Sequence, residues 1–201
     1  MTELILISSG IHGREMVEII KRTGIYKLIG IIRGDETDEQ ISPDGVPVLG
    51  GLSALSKYDD IALTYDCWTA LGDLDISKRL INLIDPAAFV HPSASIGRGS
   101  VIYPNCFIGA EAVLGECCFL LSGAVVNHNC TLGDRIVMAT GAHLAGNVRV
   151  GGAAYIGQDA TVRQYSNIGG NTLIGMGAVV VKDVPDNAVM VGNPARLLRM
   201  K

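Results

Sequence analysis

Aromatic side chains make up only 5% of this 201-residue chain, with a single Trp and three Phe. A core built on ring packing is excluded, so aliphatic side chains must fill the interior. Charge is also scarce, 18% of residues with a formal net of -4, which gives no electrostatic reason to bind a polyanion; nucleic acid is not an expected partner. No apolar run reaches the roughly 18 residues of a membrane span. The first residues, Met1-Thr2-Glu3-Leu4-Ile5-Leu6-Ile7, carry an acid where a secretory signal has bases, and their apolar run breaks at Ser8. These features predict a cytoplasmic protein without a membrane partner, in which the sequon Asn129-Cys130-Thr131 is incidental. The five cysteines include no CxxC pair; Cys67 and the adjacent Cys117-Cys118 do not form a zinc signature. Reduced thiols and no metal site are expected.

Glycine is what the chain has in quantity, 25 residues, many of them after position 90. Stepping by six from Val90 to Val180 meets sixteen aliphatic residues in succession, and four residues after each comes a residue that is mostly small, such as Ala94, Cys106, Ala124 or Ala142. A period of six is neither 2 nor 3.6, so it makes neither a single amphipathic strand nor a helix. It does make short strands joined at corners, stacked so that each coil contacts its neighbours along one continuous core. The residue directly after the aliphatic one is Gly in eight of the sixteen units, which predicts unusual backbone dihedrals there. Cys106, Cys118 and Cys130 fall on the small inward position and behave as compact hydrophobes.

Before the array the pattern is that of a short α/β unit: strand 4–8, helix 11–23, strand 28–32, helix 50–57, strand 61–64 and helix 75–84, with Ile76, Leu80, Leu83 and Ile84 on one face of the last. Two domains follow, 1–84 and 85–201, divided at Asp85-Pro86. The turn Ser8-Ser9-Gly10-Ile11-His12-Gly13 lies between a strand and a helix N-terminus, where a dinucleotide fold places its phosphate loop. It carries two of that loop's three glycines, and reads as a plain strand-to-helix turn or as an anion site.

Three further segments join these halves: Gly10 to Glu15 (Gly-Ile-His-Gly-Arg-Glu), Val126-Asn127-His128-Asn129-Cys130 with Leu144-Ala145-Gly146-Asn147-Val148, and the closing Val191-Gly192-Asn193-Pro194-Ala195-Arg196. Together they resemble the sialic acid O-acetyltransferase family of sugar O- and N-acetyltransferases, which includes bacterial nucleotide-amino-sugar N-acetyltransferases of glycan biosynthesis. The resemblance covers nearly the whole chain. It implies a Rossmann-like α/β domain followed by an all-β, left-handed parallel β-helix with three hexapeptides per coil, usually assembled as a homotrimer. Acetyl-CoA would be the co-substrate, and a sugar or nucleotide sugar the acceptor, acetylated on an amine or on a hydroxyl.

At 18 residues per coil, position 128 stacks on position 146, about 4.8 Å away. A base and a backbone N–H then stand side by side. Acetyl transfer needs both, one to deprotonate the acceptor and one to bind the oxyanion formed at the thioester carbon. His128 is the candidate base, since imidazoles titrate near neutral pH, and Gly146 the candidate oxyanion donor. Asn129 follows His128 where family members carry Asp or Glu; its amide oxygen can orient the ring without neutralising an imidazolium, so a catalytically inactive nucleotide-sugar or acyl-CoA binding scaffold is the alternative of another class. His91 and His143 read as surface or interface residues, and with His128 they are the only histidines that the repeat offers for the zinc site of a γ-class carbonic anhydrase, which needs three. By position, the resemblance implicates Gly146, Gln158 and Met176 in coenzyme A binding. It gives Arg196 either a coenzyme A phosphate or the part of a solvated tail residue. Gly10, His12, Gly13 and Asp35 are its candidates for the acceptor's phosphate end. Arg33-Gly34-Asp35 stands where the family has an acidic pair that reads the nucleotide base.

Overall fold

A computed structural model describes all residues except 36–39 and 67–75, and the chain divides into two compact units, Met1–Asp85 and Pro86–Lys201. Among the described residues no helix is long and apolar enough to cross a membrane.

The first unit is a four-stranded parallel sheet of β1 (Thr2–Ile7), β2 (Tyr26–Ile32), β3 (Val48–Gly50) and β4 (Ala62–Tyr65), in the order β3-β2-β1-β4. Leu4 to Ile7 of β1 are fully buried, as a central strand flanked on both edges requires. Helix α1 (Ile11–Thr23) connects β1 to β2 and buries Met16, Val17, Ile19 and Ile20. It ends at Gly24, whose φ of 67° permits the left-handed cap in which its N–H donates to the Lys21 carbonyl.

Two expected helices are different in the structure. Positions 50–57 form a 3-10 turn, Leu52–Tyr58, rather than an α-helix. The helix expected over 75–84 begins at Asp75, outside the described residues. From Ile76 onward the chain has only a 3-10 turn at Ser77–Arg79 and a short strand at Leu83–Ile84. The Ile81 N–H donates to the Leu63 carbonyl of β4 at 2.9 Å, so sheet pairing takes backbone groups that a helix would have used. Ile76, Leu80 and Leu83 are nevertheless buried and Ile84 is half-buried: most of the burial expected of the helical face is met without a helix. Cys67 lies outside the described residues.

The second unit is a parallel β-solenoid. Each of the sixteen aliphatic positions is the second residue of a two-residue strand, from Phe89–Val90 to Val179–Val180. Strands up to Thr161–Val162 pair with the one 18 residues on, as in Val113 with Thr131 and His143 with Thr161, so three hexapeptides complete a coil and the strands stack into three sheets. Aliphatic side chains such as Ile108, Val126, Leu144 and Val162 are fully buried, as are the small partners Ala112, Ala124 and Ala142. At roughly 1.5–3 kcal/mol for burying each large aliphatic side chain, the column supplies the stability that aromatic packing does not. Burial pushes the Cys118 thiol up to about 11, and Cys106 and Cys130 point their thiols at the carbonyls of Leu121 and Ala145, at 3.2 and 3.1 Å. The strand Ala188–Val191 extends one sheet beyond Leu173–Ile174, and Arg196–Met200 folds back antiparallel to it.

The repeat glycines have a different role from the expected one. Gly97, Gly115, Gly133, Gly151 and Gly169 stack along one corner, and none has a positive φ. A Cβ at Gly133 would stand 2.7 Å from the Gly152 nitrogen, and one at Gly151 would stand 2.5 Å from that of Gly170. These glycines let one coil approach the backbone of the next. The left-handed conformation falls instead two residues further along fourteen of the sixteen hexapeptides, at Asn105, Asn129, Asn147 and Asn171, at Gly99, Gly123, Gly141 and Gly177, and at Glu111, Cys117, Arg135, Ala153, Asp159 and Tyr165. Asn and Gly tolerate it best.

Candidate functional site

His128 stands at a solenoid corner between the strands Val125–Val126 and Thr131–Leu132. The next coil brings Gly146 beneath its ring: a Cβ on Gly146 would lie 2.5 Å from both Cε1 and Nε2 of His128. Only glycine leaves room for the ring in this position. The His128 Nδ1 lies 2.9 Å from Asn129 Oδ1. An amide oxygen only accepts, so this contact fits a hydrogen on Nδ1 and leaves Nε2 as the ring nitrogen over Gly146.

Among the described residues the Gly146 N–H has no hydrogen-bond acceptor. The same backbone position at another corner shows what it can hold. The Glu116 N–H donates to Asp134 Oδ1 at 2.8 Å and the Gly170 N–H to Asp186 Oδ1 at 2.6 Å. This corner N–H therefore reaches an oxyanion at the outer surface of the coil. At Gly146 it does so beside an imidazole nitrogen.

The corner also gives Asn129 a structural reason. Its φ is 58° and its N–H donates to the Ala110 carbonyl at 2.8 Å, in a repeat position that favours Asn. Asp159 occupies the equivalent position in another coil with φ 54°, so a carboxylate fits there equally well.

Gln158 and Met176 lie on successive coils at another corner, joined by the bond from the Gly177 N–H to the Gln158 carbonyl at 2.7 Å. Met176 is 76% exposed, an apolar chain left in solvent. Arg196 lines a cavity of about 290 Å³ together with Lys182, Asp183, Met190 and Leu197, so a second cation accompanies it. Among the described residues, no group of three or more His, Cys, Asp or Glu side chains is placed to hold a metal.

In the first unit, Gly10 and Gly13 line a cavity of about 370 Å³ at the N-terminus of α1, with Ser8, Ser9, Arg14, Arg33 and Asp44 among its other walls. No acidic side chain occupies the first turn of α1, so its dipole favours an anion. Gly13 has a packing role as well, since a Cβ there would run into the Ser8 side chain. Ser8 Oγ in turn donates to the buried Asp66 carboxylate at 2.5 Å. His12 and Asp35 are not part of the wall: His12 Nδ1 is 3.2 Å from Glu15 Oε2, and Asp35 is exposed. Sequence reasoning named both arginines in their segments but assigned neither to the site. Arg14 Nε contacts Asp44 Oδ1 at 3.1 Å, and Arg33 donates to the Ser8 carbonyl at 3.4 Å. Arg33 directly follows β2, the one signal that could have placed it here.

The fold and this corner define a hexapeptide-repeat protein of the acyltransferase class. Residues 3–84 match the PglD N-terminal domain family. The acetyltransferase domain of PglB from Neisseria gonorrhoeae is 33% identical, with a TM-score of 0.84 over 98% of this chain and 100% of that one; it has also been solved in complex with acetyl coenzyme A. PerB from Caulobacter crescentus, in complex with CoA and GDP-perosamine, is 29% identical, with a TM-score of 0.83 over 99% of this chain and 98% of that one. An acyl-[acyl-carrier-protein]–UDP-N-acetylglucosamine O-acyltransferase from Thiobacillus denitrificans is 38% identical over 63 residues, 31% of this chain. That match spans about a quarter of the curated relative's length, 24%. The chain belongs to the bacterial sugar acetyltransferase family.

Proposed function

We propose that this chain transfers the acetyl group of acetyl-CoA to the amine of a nucleotide-linked amino sugar. The observation that carries the proposal is the His128 ring seated on Gly146, with Nδ1 against Asn129 Oδ1 and Nε2 over the Gly146 backbone. The acceptor nitrogen attacks the thioester carbonyl carbon while Nε2 takes its proton. The Gly146 N–H holds the resulting oxyanion. Collapse of the tetrahedral adduct breaks the C–S bond, and the imidazolium returns its proton to the departing thiolate. Asn129 positions the base.

Acetyl-CoA as donor is supported by the ligands of PglB and PerB, and a nucleotide sugar as acceptor by the GDP-perosamine of PerB. Gln158, Met176 and the Arg196–Lys182 pair are assigned to coenzyme A. The nucleotide-side phosphate of the acceptor is assigned to the first unit's cavity, through Gly10, Gly13 and the α1 N-terminus. His12, within the same turn, and Asp35 stay with this assignment only on the family resemblance. The strand order β3-β2-β1-β4 supports a Rossmann-like reading of the first unit. The left-handed coil and the homotrimer rest on the family resemblance.

The test is release of coenzyme A thiol across a panel of nucleotide amino sugars and free sialic acids. Release with an amino sugar is the expected result. Release only with hydroxyl acceptors would replace N- by O-acetylation; the Thiobacillus relative is named for O-acyl transfer. Thermal stabilisation by acetyl-CoA without release on any acceptor would leave a binding scaffold.

A second prediction isolates Asn129. Asn129→Asp keeps the left-handed corner and the acceptor for Nδ1–H, and adds a charge that stabilises the imidazolium. At neutral pH kcat should rise about tenfold, on the basis that charge-assisted bonds are roughly twice as strong as neutral ones. The acid limb of the pH–rate profile should move to higher pH, because a carboxylate favours the protonated ring. An unchanged profile would separate Asn129 from the base.

A further inference from the structure

Asn129 also lines a second cavity, of about 250 Å³, together with Thr131, Asn147, Arg149, Tyr165 and Asn167. Two columns of the solenoid build it. Thr131, Arg149 and Asn167 are paired outward-facing strand residues on successive coils. Asn129, Asn147 and Tyr165 are the adjoining left-handed corner residues, with φ of 58°, 61° and 65°. Every lining side chain is polar, with three carboxamides, two hydroxyls and one guanidinium. The volume is below the roughly 300–1,000 Å³ of sites for drug-sized ligands, so it suits a single sugar ring rather than a whole nucleotide sugar.

Two observations point to a particular occupant. Arg149 is exposed, and among the described residues no carboxylate lies within 4 Å of it. Asp183, which accepts from the Asn167 backbone and side chain at 2.8 and 3.2 Å, is outside the cavity wall. The site thus carries one positive charge and donors arranged about it, the complement of an anionic oxygen group. Tyr165 is the second. It is 68% exposed and buries little apolar surface in the fold, so its aromatic face is left on the cavity wall to pack against a ring.

We infer that this cavity receives the acceptor's sugar ring and that Arg149 selects acceptors with an anionic oxygen group, either a sugar carboxylate or a glycosyl phosphate. Tyr165 supplies the flat wall. The inference rests on the acetyltransferase reading and deepens it, because Asn129 belongs both to this wall and to the bond that orients His128.

Calorimetric titration of the intact protein with glucuronate, glucose 1-phosphate and glucose tests it without requiring turnover. At least one anionic sugar should bind about tenfold more tightly than glucose, and which one does so tells carboxylate from glycosyl phosphate. Arg149→Gln should abolish the preference and Arg149→Lys should retain part of it. Tyr165→Asn should weaken binding of all three sugars while leaving Tm unchanged or raised by about 2–4 °C. Equal binding of the three, no detectable binding of any, or a preference that survives Arg149→Gln but disappears in Arg33→Gln overturns the inference; the last would place the anion in the first unit. In the thiol-release assay Arg149→Gln should raise KM for the acceptor at least tenfold with kcat changed less. If no acceptor is turned over, the acetyltransferase reading fails while the titration still decides the cavity.

Discussion

His128→Ala should lower kcat for acetyl transfer by about 10²–10⁴-fold, the range a positioned general base contributes, with the fold and acetyl-CoA affinity retained. The separation follows from where the ring sits. His128 is exposed and faces the Gly146 backbone, so its removal opens no cavity in the solenoid core. The bond from the Asn147 N–H to the His128 carbonyl, 3.0 Å, belongs to the backbone and persists in the variant. Thermal denaturation and acetyl-CoA binding should therefore match those of the parent chain. The residual rate should come from the Gly146 N–H and from proximity. Added imidazole should restore part of the lost rate, which a merely structural corner histidine would not allow. Unchanged turnover would remove His128 from the mechanism.

How much of this was legible in the sequence depends on whether a feature is periodic. The solenoid was, because each coil repeats one requirement: an aliphatic residue inward, a small one four places on. Those residues became sixteen strands without a slip of register. The same ruler brought His128 onto Gly146, since a stacking distance in a solenoid follows directly from residue count. Glycine was read less well, because a sequence does not distinguish a glycine needed for its φ from one needed for close approach. Gly133 and Gly151 proved to be of the second kind. Apolar residues at helical spacing misled over 75–84, where pairing of Ile81 with Leu63 took precedence over local propensity. Arg14, Arg33 and Asp44 gave no joint signal, being up to 30 residues apart and brought together only by the α/β fold. Arg149 and Tyr165 went unnoticed for another reason: outward positions of the array carry no periodic constraint, so their chemistry appears only once the coils are stacked.

Gly146→Ala should lower kcat at least about 100-fold, the scale of loss expected when a reacting group is displaced by an ångström. The backbone at Gly146 has no positive φ, so alanine is conformationally permitted and the change is one of sterics. Its Cβ would sit 2.5 Å from Nε2 and Cε1 of His128, far inside van der Waals contact. The exposed ring is free to swing away, at the expense of the 2.9 Å bond from Nδ1 to Asn129, so stability should change by no more than about 1 kcal/mol. The Gly146 N–H survives the substitution, which confines the effect to the base. The double variant makes the argument decisive. With His128 already replaced by Ala, the new methyl group has no ring to displace, and Gly146→Ala should cost little further activity; the two losses should be strongly non-additive. Additive losses, or a Gly146→Ala variant with the parental kcat, would mean that the productive imidazole does not rest on Gly146.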